Sequence, residues 1–157
     1  MTRFAQAFGE KFQTAVNEIR TRTFKLGEFE FKVRVPLTAE LDAMYKRIAL
    51  IDEEKAKARL AKMTDALRTD TPDNVKIQDD GDVIVDGRST KELVTSLLIM
   101  ENRITEHFKL LVPETGNFDD LTYEEIDQEF PLPVQVQIMD EVQEAIQPGY
   151  KDTRKNS

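Results

Sequence analysis

His107 is the only imidazole in the chain, and imidazole is the side chain best suited to moving a proton near neutral pH. As a catalytic base it would need an orienting carboxylate and a nucleophile, and as a zinc ligand it would need further His or Cys. The chain has no Cys and no second His, and the adjacent Glu106 points about 100° away if both lie on a helix. His107 therefore reads as a surface or boundary histidine. The stretch DDGDVIVD, Asp79 to Asp86, resembles a calcium loop at first sight. An EF-hand loop places Gly sixth and a bidentate Glu twelfth between two helices. Here Gly81 comes third and the flanks alternate like strands, so a tight turn built from Asp and Gly is the expectation. The pairs Asp119-Asp120 and Glu124-Glu125 are sequence neighbours, and acid–base catalysis needs carboxylates that converge. Ser89 and Ser96 lack the strand-turn-helix context of a nucleophile, and the six glycines match neither phosphate-binding spacing. The reading is of a protein without catalytic residues, metal or cofactor.

Features that suit binding are easier to find. Phe4, Phe8 and Phe12, followed by Val16 and Ile19, fall on one face of a helix, where aromatic anchors at i, i+4 and i+8 can fill a partner's groove or pack on the domain's own core. Val134, Ile138 and Val142 form a second apolar stripe with the same two readings. Phe4, Phe8, Phe12, Val134, Ile138 and Val142 are thus the candidate partner-binding residues. Charge is also segregated. Lys55 to Arg68 is basic, whereas Leu110 to Tyr150 holds ten carboxylates and no Lys or Arg before the ending GYKDTRKNS turns basic again. Opposed patches invite head-to-tail self-association or capture of a charged partner, but a solvated helix face is the simpler explanation of each.

These residues must be positioned by a small set of elements. The N-terminal stripe predicts one helix over residues 4–19. Phe29, Phe31, Val33 and Val35 alternate with Glu30, Lys32 and Arg34 as in a strand, with Gly27-Glu28 as the turn of a hairpin and Pro36 as its end. Thr38 opens a helix carrying Leu41, Met44, Ile48 and Ile51; beyond Asp52 the sequence favours helix but is poor in large apolar residues, so this half is expected to project or lie on the surface. TDTPDN is a break before a second hairpin around Asp79 to Asp82. Ser89 and Glu92 form a capping box for a helix through Leu93, Leu97, Met100, Ile104, Phe108 and Leu111; Thr122 and Glu125 repeat that pattern for a short helix ending before Pro131. A last helix stops at Pro148-Gly149. The fold class is α+β, mostly α-helical with two short β-hairpins.

At 157 residues the chain can bury a core without metals or disulfides. A net charge of −8 and a pI near 4.8 without an arginine-rich stripe argue against nucleic acid as a partner. Glu10 and Lys11 interrupt any signal-peptide core, and no apolar run approaches the roughly 18 residues of a membrane span, so a soluble, cytoplasmic protein is expected.

The ordered segments FEFKVRVPLTAELDAMYKRI, DDGDVIVDGRSTKEL, EHFKLLVP and LTYEEIDQEFPLPVQVQIMDEVQEAIQPGYKDTRKN resemble the tail assembly chaperones of long-tailed bacteriophages, proteins encoded just ahead of the tape measure protein. The likeness spans about residues 24 to 156. It implies a chaperone-like domain, so the expected organisation is an N-terminal amphipathic helix over 1–22, read from its own periodicity, a single chaperone-like domain over 23–150 and a flexible polar tail over 151–157. It also implies a non-enzymatic protein of the host cytoplasm, absent from the mature virion, that coats the tape measure protein, keeps it soluble and is displaced as the tail tube polymerises. Many members of that family gain a second domain by a programmed frameshift near the end of the reading frame, and the extended form recruits the tail tube protein; Lys151 to Ser157 would suit such a junction. Self-association would let several copies line one client, with no nucleic acid and no membrane involved. The competing expectation is an acidic phage or prophage accessory protein that binds and inhibits a host factor, which requires a continuous acidic face. A small hydrolase is a more distant third.

Overall fold

A computed structural model describes residues 2–155, with backbone alone for 153–155; Met1, Asn156 and Ser157, which belong to the expected N-terminal helix and polar tail, lie outside the described residues. The protein is mostly helical with two small antiparallel sheets, as the periodicities predict. It divides into two compact units where the sequence predicts one domain over 23–150. The first comprises residues 1–45 and 103–157, and the second is the intervening stretch 46–102. The boundaries fall inside helices, where composition leaves no mark.

In the first unit the predicted single N-terminal helix is two. Helix α1 (Arg3–Phe8) is capped by the Thr2 hydroxyl, which accepts from the Ala5 N–H at 3.2 Å, and α2 (Glu10–Ile19) follows at once. Gly9 separates them with φ 74° and ψ −163°, a conformation essentially reserved for glycine. Strands β1 (Thr21–Leu26) and β2 (Phe29–Arg34) pair antiparallel in the predicted hairpin, with Phe24 opposite Phe31 and Leu26 opposite Phe29 around the Gly27-Glu28 turn. Helix α3 (Thr38–Ala49) begins in this unit.

The second unit takes the chain from the end of α3 into α4 (Glu53–Thr69), whose first turn is capped by the Asp52 carboxylate through the Glu54 and Lys55 N–H groups. The weakly apolar α4 does not simply project: Arg59 makes a two-pronged ion pair, at 2.8 and 3.2 Å, with Glu101 of α5 (Thr90–Phe108), and Thr64 is fully buried. The predicted second hairpin, β3 (Val75–Ile77) with β4 (Val83–Val85), continues into a third strand, β5 (Arg88–Ser89). Asp86 and Gly87 form the two-residue turn between β4 and β5, both with positive φ (52° and 79°) as a type I′ turn requires. Val83, Val94 and Leu98 are buried in this unit.

The last turns of α5 return to the first unit. Leu110 to Val112 then lie along the free edge of β2, the Arg34 N–H donating to Leu110 O and the Val112 N–H to Lys32 O, both at 2.8 Å. Helix α6 (Tyr123–Glu129) opens with the complete Thr122–Glu125 capping box, and α7 (Leu132–Ile146) follows directly. Gln135, fully buried, joins these two helices: it accepts from the Tyr123 hydroxyl at 2.8 Å and donates to Phe130 O at 2.7 Å. Val33, Ile104, Phe108, Ile126, Ile138 and Val142 are buried in the first unit.

The stretch expected as a loose basic tail begins as a short helix, α8 (Tyr150–Lys155), tied back to α7. Lys151 pairs with Glu141, and its N–H, with that of Gly149, donates to the Glu144 carboxylate at 2.9 and 3.0 Å. The first basic residue after the acidic stretch thus neutralises part of the helix that precedes it.

Candidate functional site

The first unit holds an open apolar groove of ≈ 660 Å³ built from three distant stretches of sequence. Strand alternation sends Phe29 and Phe31 to one face of β2, where their rings meet edge to face at 4.8 Å and Phe31 also stacks on Phe24 at 5.0 Å. The end of α5 and the edge segment after it add Phe108, Leu111, Val112 and Pro113. The loop and α6 complete the wall with Phe118, Leu121, Ile126 and Phe130, and the Phe108 and Phe130 rings lie 5.9 Å apart. Phe29 remains 65% exposed and Val112 41%, an unusual amount of accessible apolar surface in one place.

The polar groups of this groove are all charged and exposed. Glu30, Glu114, Glu125 and Glu129 stand around it against the single cation Lys32. Among the described residues no hydroxyl, thiol or imidazole lines it, and the groove offers burial of apolar groups beside an anionic rim. A broader depression in the second unit, ≈ 930 Å³, is more polar, with Asp86, Arg88, Ser89, Thr90 and Glu92 beside Met63, Leu67 and Leu93.

The six residues singled out from sequence separate into two groups. Phe4 and Phe8 are 63% and 62% exposed and Phe12 is half-buried; their rings cluster with centroids 5.6 to 6.4 Å apart despite the break at Gly9. This arm presents aromatic surface outward. Ile138 and Val142, by contrast, are fully buried in the core of the first unit, and Val134 is half-buried. Apolar periodicity alone does not distinguish the two cases. The groove itself escaped sequence reading because its walls come from residues 29–32, 108–114 and 118–130; the only local hint was the alternation of Phe29 and Phe31.

Among the described residues, His107, Glu40, Asp82 and Glu144 have perturbed acidities with structural explanations. His107, expected near the surface, is 2% exposed: its Nδ1 meets the Arg103 carbonyl at 2.6 Å, its Nε2 meets the Gln143 side chain, and burial lowers its pKa. The Arg34 guanidinium, aided by Arg20, holds the Glu40 carboxyl below the usual range. Burial works against ionisation of Asp82, but the Ser89 hydroxyl and the Lys91 and Val83 N–H groups outweigh it and lower its pKa. Glu144 is lowered by the N–H groups of Lys151 and Gly149. The expected capping box at the start of α5 is accordingly shared: the Glu92 N–H donates to Ser89 Oγ at 3.1 Å while the Ser89 hydroxyl donates to Asp82.

Among the described residues no cluster of three or more His, Asp or Glu is placed to hold a metal ion, and no helix is long and apolar enough to cross a membrane. Comparison of the chain with protein-family models, curated proteins and solved structures finds no match.

Proposed function

We propose that the chain is a non-catalytic chaperone of the phage tail assembly type, which shields apolar segments of the tape measure protein until tail tube subunits replace it. The observation that carries this reading is the open, phenylalanine-lined groove with its carboxylate rim. Such a surface suits an amphipathic client helix whose apolar face enters the groove and whose basic residues meet Glu30, Glu114 and Glu129. A chaperone that must later be displaced benefits from several modest contacts of this kind, multiplied along a long client. The order of the segments quoted above supports the same assignment, and with it a role in the host cytoplasm and absence from the finished virion. A frameshift-extended product that engages the tail tube protein is part of this proposal.

The competing idea of an acidic inhibitor needs an unbroken anionic face. Glu125 is engaged in a helix cap, Glu141 in a pair with Lys151, and Glu144 in holding α8, which breaks such a face into short patches.

Co-expression with the tape measure protein encoded downstream tests the chaperone reading. The client is expected to be soluble only with this partner and to retain several copies on affinity capture. Phe31→Asp, which places a charge in the groove wall, is expected to abolish that rescue. A client that precipitates regardless, with nothing captured, would overturn the proposal.

A further inference from the structure

We infer that the groove of one copy receives the N-terminal aromatic arm of a second copy, so that the protein self-associates head to tail. Arm and groove lie in the same unit, and both are rich in phenylalanine. The arm offers Phe4, Phe8 and Phe12 on a helical face, with their rings in mutual contact and two of them mostly exposed. The groove offers an apolar trough whose volume lies within the roughly 300–1,000 Å³ of protein binding sites. Arg3 and Lys11 flank the aromatics against Glu10, with Glu18 at the far end of α2, whereas the groove carries Glu30, Glu114 and Glu129, and Glu125 of the α6 cap, against Lys32. Opposite charge fixes the orientation, and the three rings supply the buried area.

The geometry favours a second copy over the arm's own groove. Helix α2 enters the hairpin at Thr21, beside Arg34, while Phe29 lies at the turn end, about 17 Å away along a strand rising about 3.4 Å per residue. The α2 end is also held there: the Thr21 hydroxyl donates to Asn17 O, and the Arg22 guanidinium donates to Ile19 O. Phe4, Phe8 and Phe12 do not line the groove of their own chain, which leaves that groove open to the arm of another copy. Because the two surfaces differ, the contact does not close on itself in a pair, and copies add until a ring or a chain forms. This inference requires only the arm and the groove and does not rest on the chaperone reading, under which arm and client helix would occupy the one groove in turn.

The test uses the full-length protein in sedimentation velocity over a range of concentrations. The wild type is expected to form species larger than a dimer as concentration rises. An arm variant, Phe4→Ala with Phe8→Ala, and a groove variant, Phe29→Glu, change exposed residues, and unaltered circular dichroism checks that each is folded. Each alone is expected to associate at least about thirtyfold more weakly, the loss typical of interface anchors. Mixed together, the groove variant still owns an arm and the arm variant still owns a groove, so they are expected to form a one-to-one heterodimer and nothing larger. Arg3→Glu with Lys11→Glu is expected to weaken association as well. A monomeric wild type, an arm variant that assembles normally, or a mixture without heterodimer would overturn the inference. Loss of client rescue with self-association intact would count against the chaperone reading alone.

Discussion

The imidazole of His107 lies against the side-chain amide of Gln143, joining α5 to α7 inside the first unit at a position where the histidine is 2% exposed. The Arg103 carbonyl and the Gln143 Oε1 can only accept, so each contact favours a proton on the ring nitrogen it meets, and burial acts against them. Burial disfavours the second proton and lowers the pKa from 6.5. The unfolded chain takes up that proton as pH falls below 6.5, whereas the folded chain resists it. Stability is therefore full above that value and is lost as pH drops toward the folded pKa. Urea denaturation at about pH 7.5 and about pH 5.5 should differ by up to about 1.4 kcal/mol, and His107→Gln should flatten that difference. An equal slope in the variant would remove the histidine from this role.

Replacing Ile138 by Ala should cost about 2–5 kcal/mol, because the side chain is fully buried and a cavity remains. Phe8→Ala should change stability by no more than about 0.5 kcal/mol, its ring being mostly exposed. Amide hydrogen exchange in α7 reads the first effect directly. Similar costs for the two variants would contradict the separation of core stripe from exposed arm.

Asp82→Asn should loosen the start of α5. The carboxylate accepts from the Val83 N–H at 2.8 Å, the Lys91 N–H at 3.0 Å and the Ser89 hydroxyl, and weakening such buried bonds costs about 1–3 kcal/mol. With a pKa lowered from 3.8, the carboxylate contributes stability above that value and loses it as pH falls through the folded pKa. Faster amide exchange confined to residues 82–94 is the expected readout, with Asp79→Asn as an exposed control.

A double-mutant cycle on Arg34 and Glu40 should return only about 0.2–1 kcal/mol, falling as salt approaches about 1 M. Their side chains are 41% and 38% exposed, so water screens the pair despite its short contact. A larger, salt-independent coupling would mean that the cluster with Arg20 acts as a rigid network.

Where an interaction is local, its residues already specify the element. The β1–β2 hairpin follows from period-two alternation around Gly27, and the α6 start from Thr122 and Glu125, since both depend on groups a few residues apart. Strand β5 was equally local, because Asp86-Gly87 between Val85 and Arg88 is a strong two-residue hairpin signal. The break at Gly9 was less so, as a glycine is compatible with either a continuous or an interrupted helix.

Composition and periodicity thus determined the mostly helical class, the two hairpins and the absence of thiol chemistry, because these depend on residue type and short spacing. Tertiary structure decided which apolar positions are spent on the core and which stay outside: Val134, Ile138 and Val142 have the same kind of spacing as Phe4, Phe8 and Phe12, yet Ile138 and Val142 are fully buried while Phe4 and Phe8 stay mostly exposed. It likewise moved His107 inward, placed a two-unit boundary inside α3 and α5, and assembled the groove from Phe31, Phe108 and Phe130. Burial is a property of what the rest of the chain brings to a surface, and partners nearly eighty residues apart leave no periodic trace in the segments that meet.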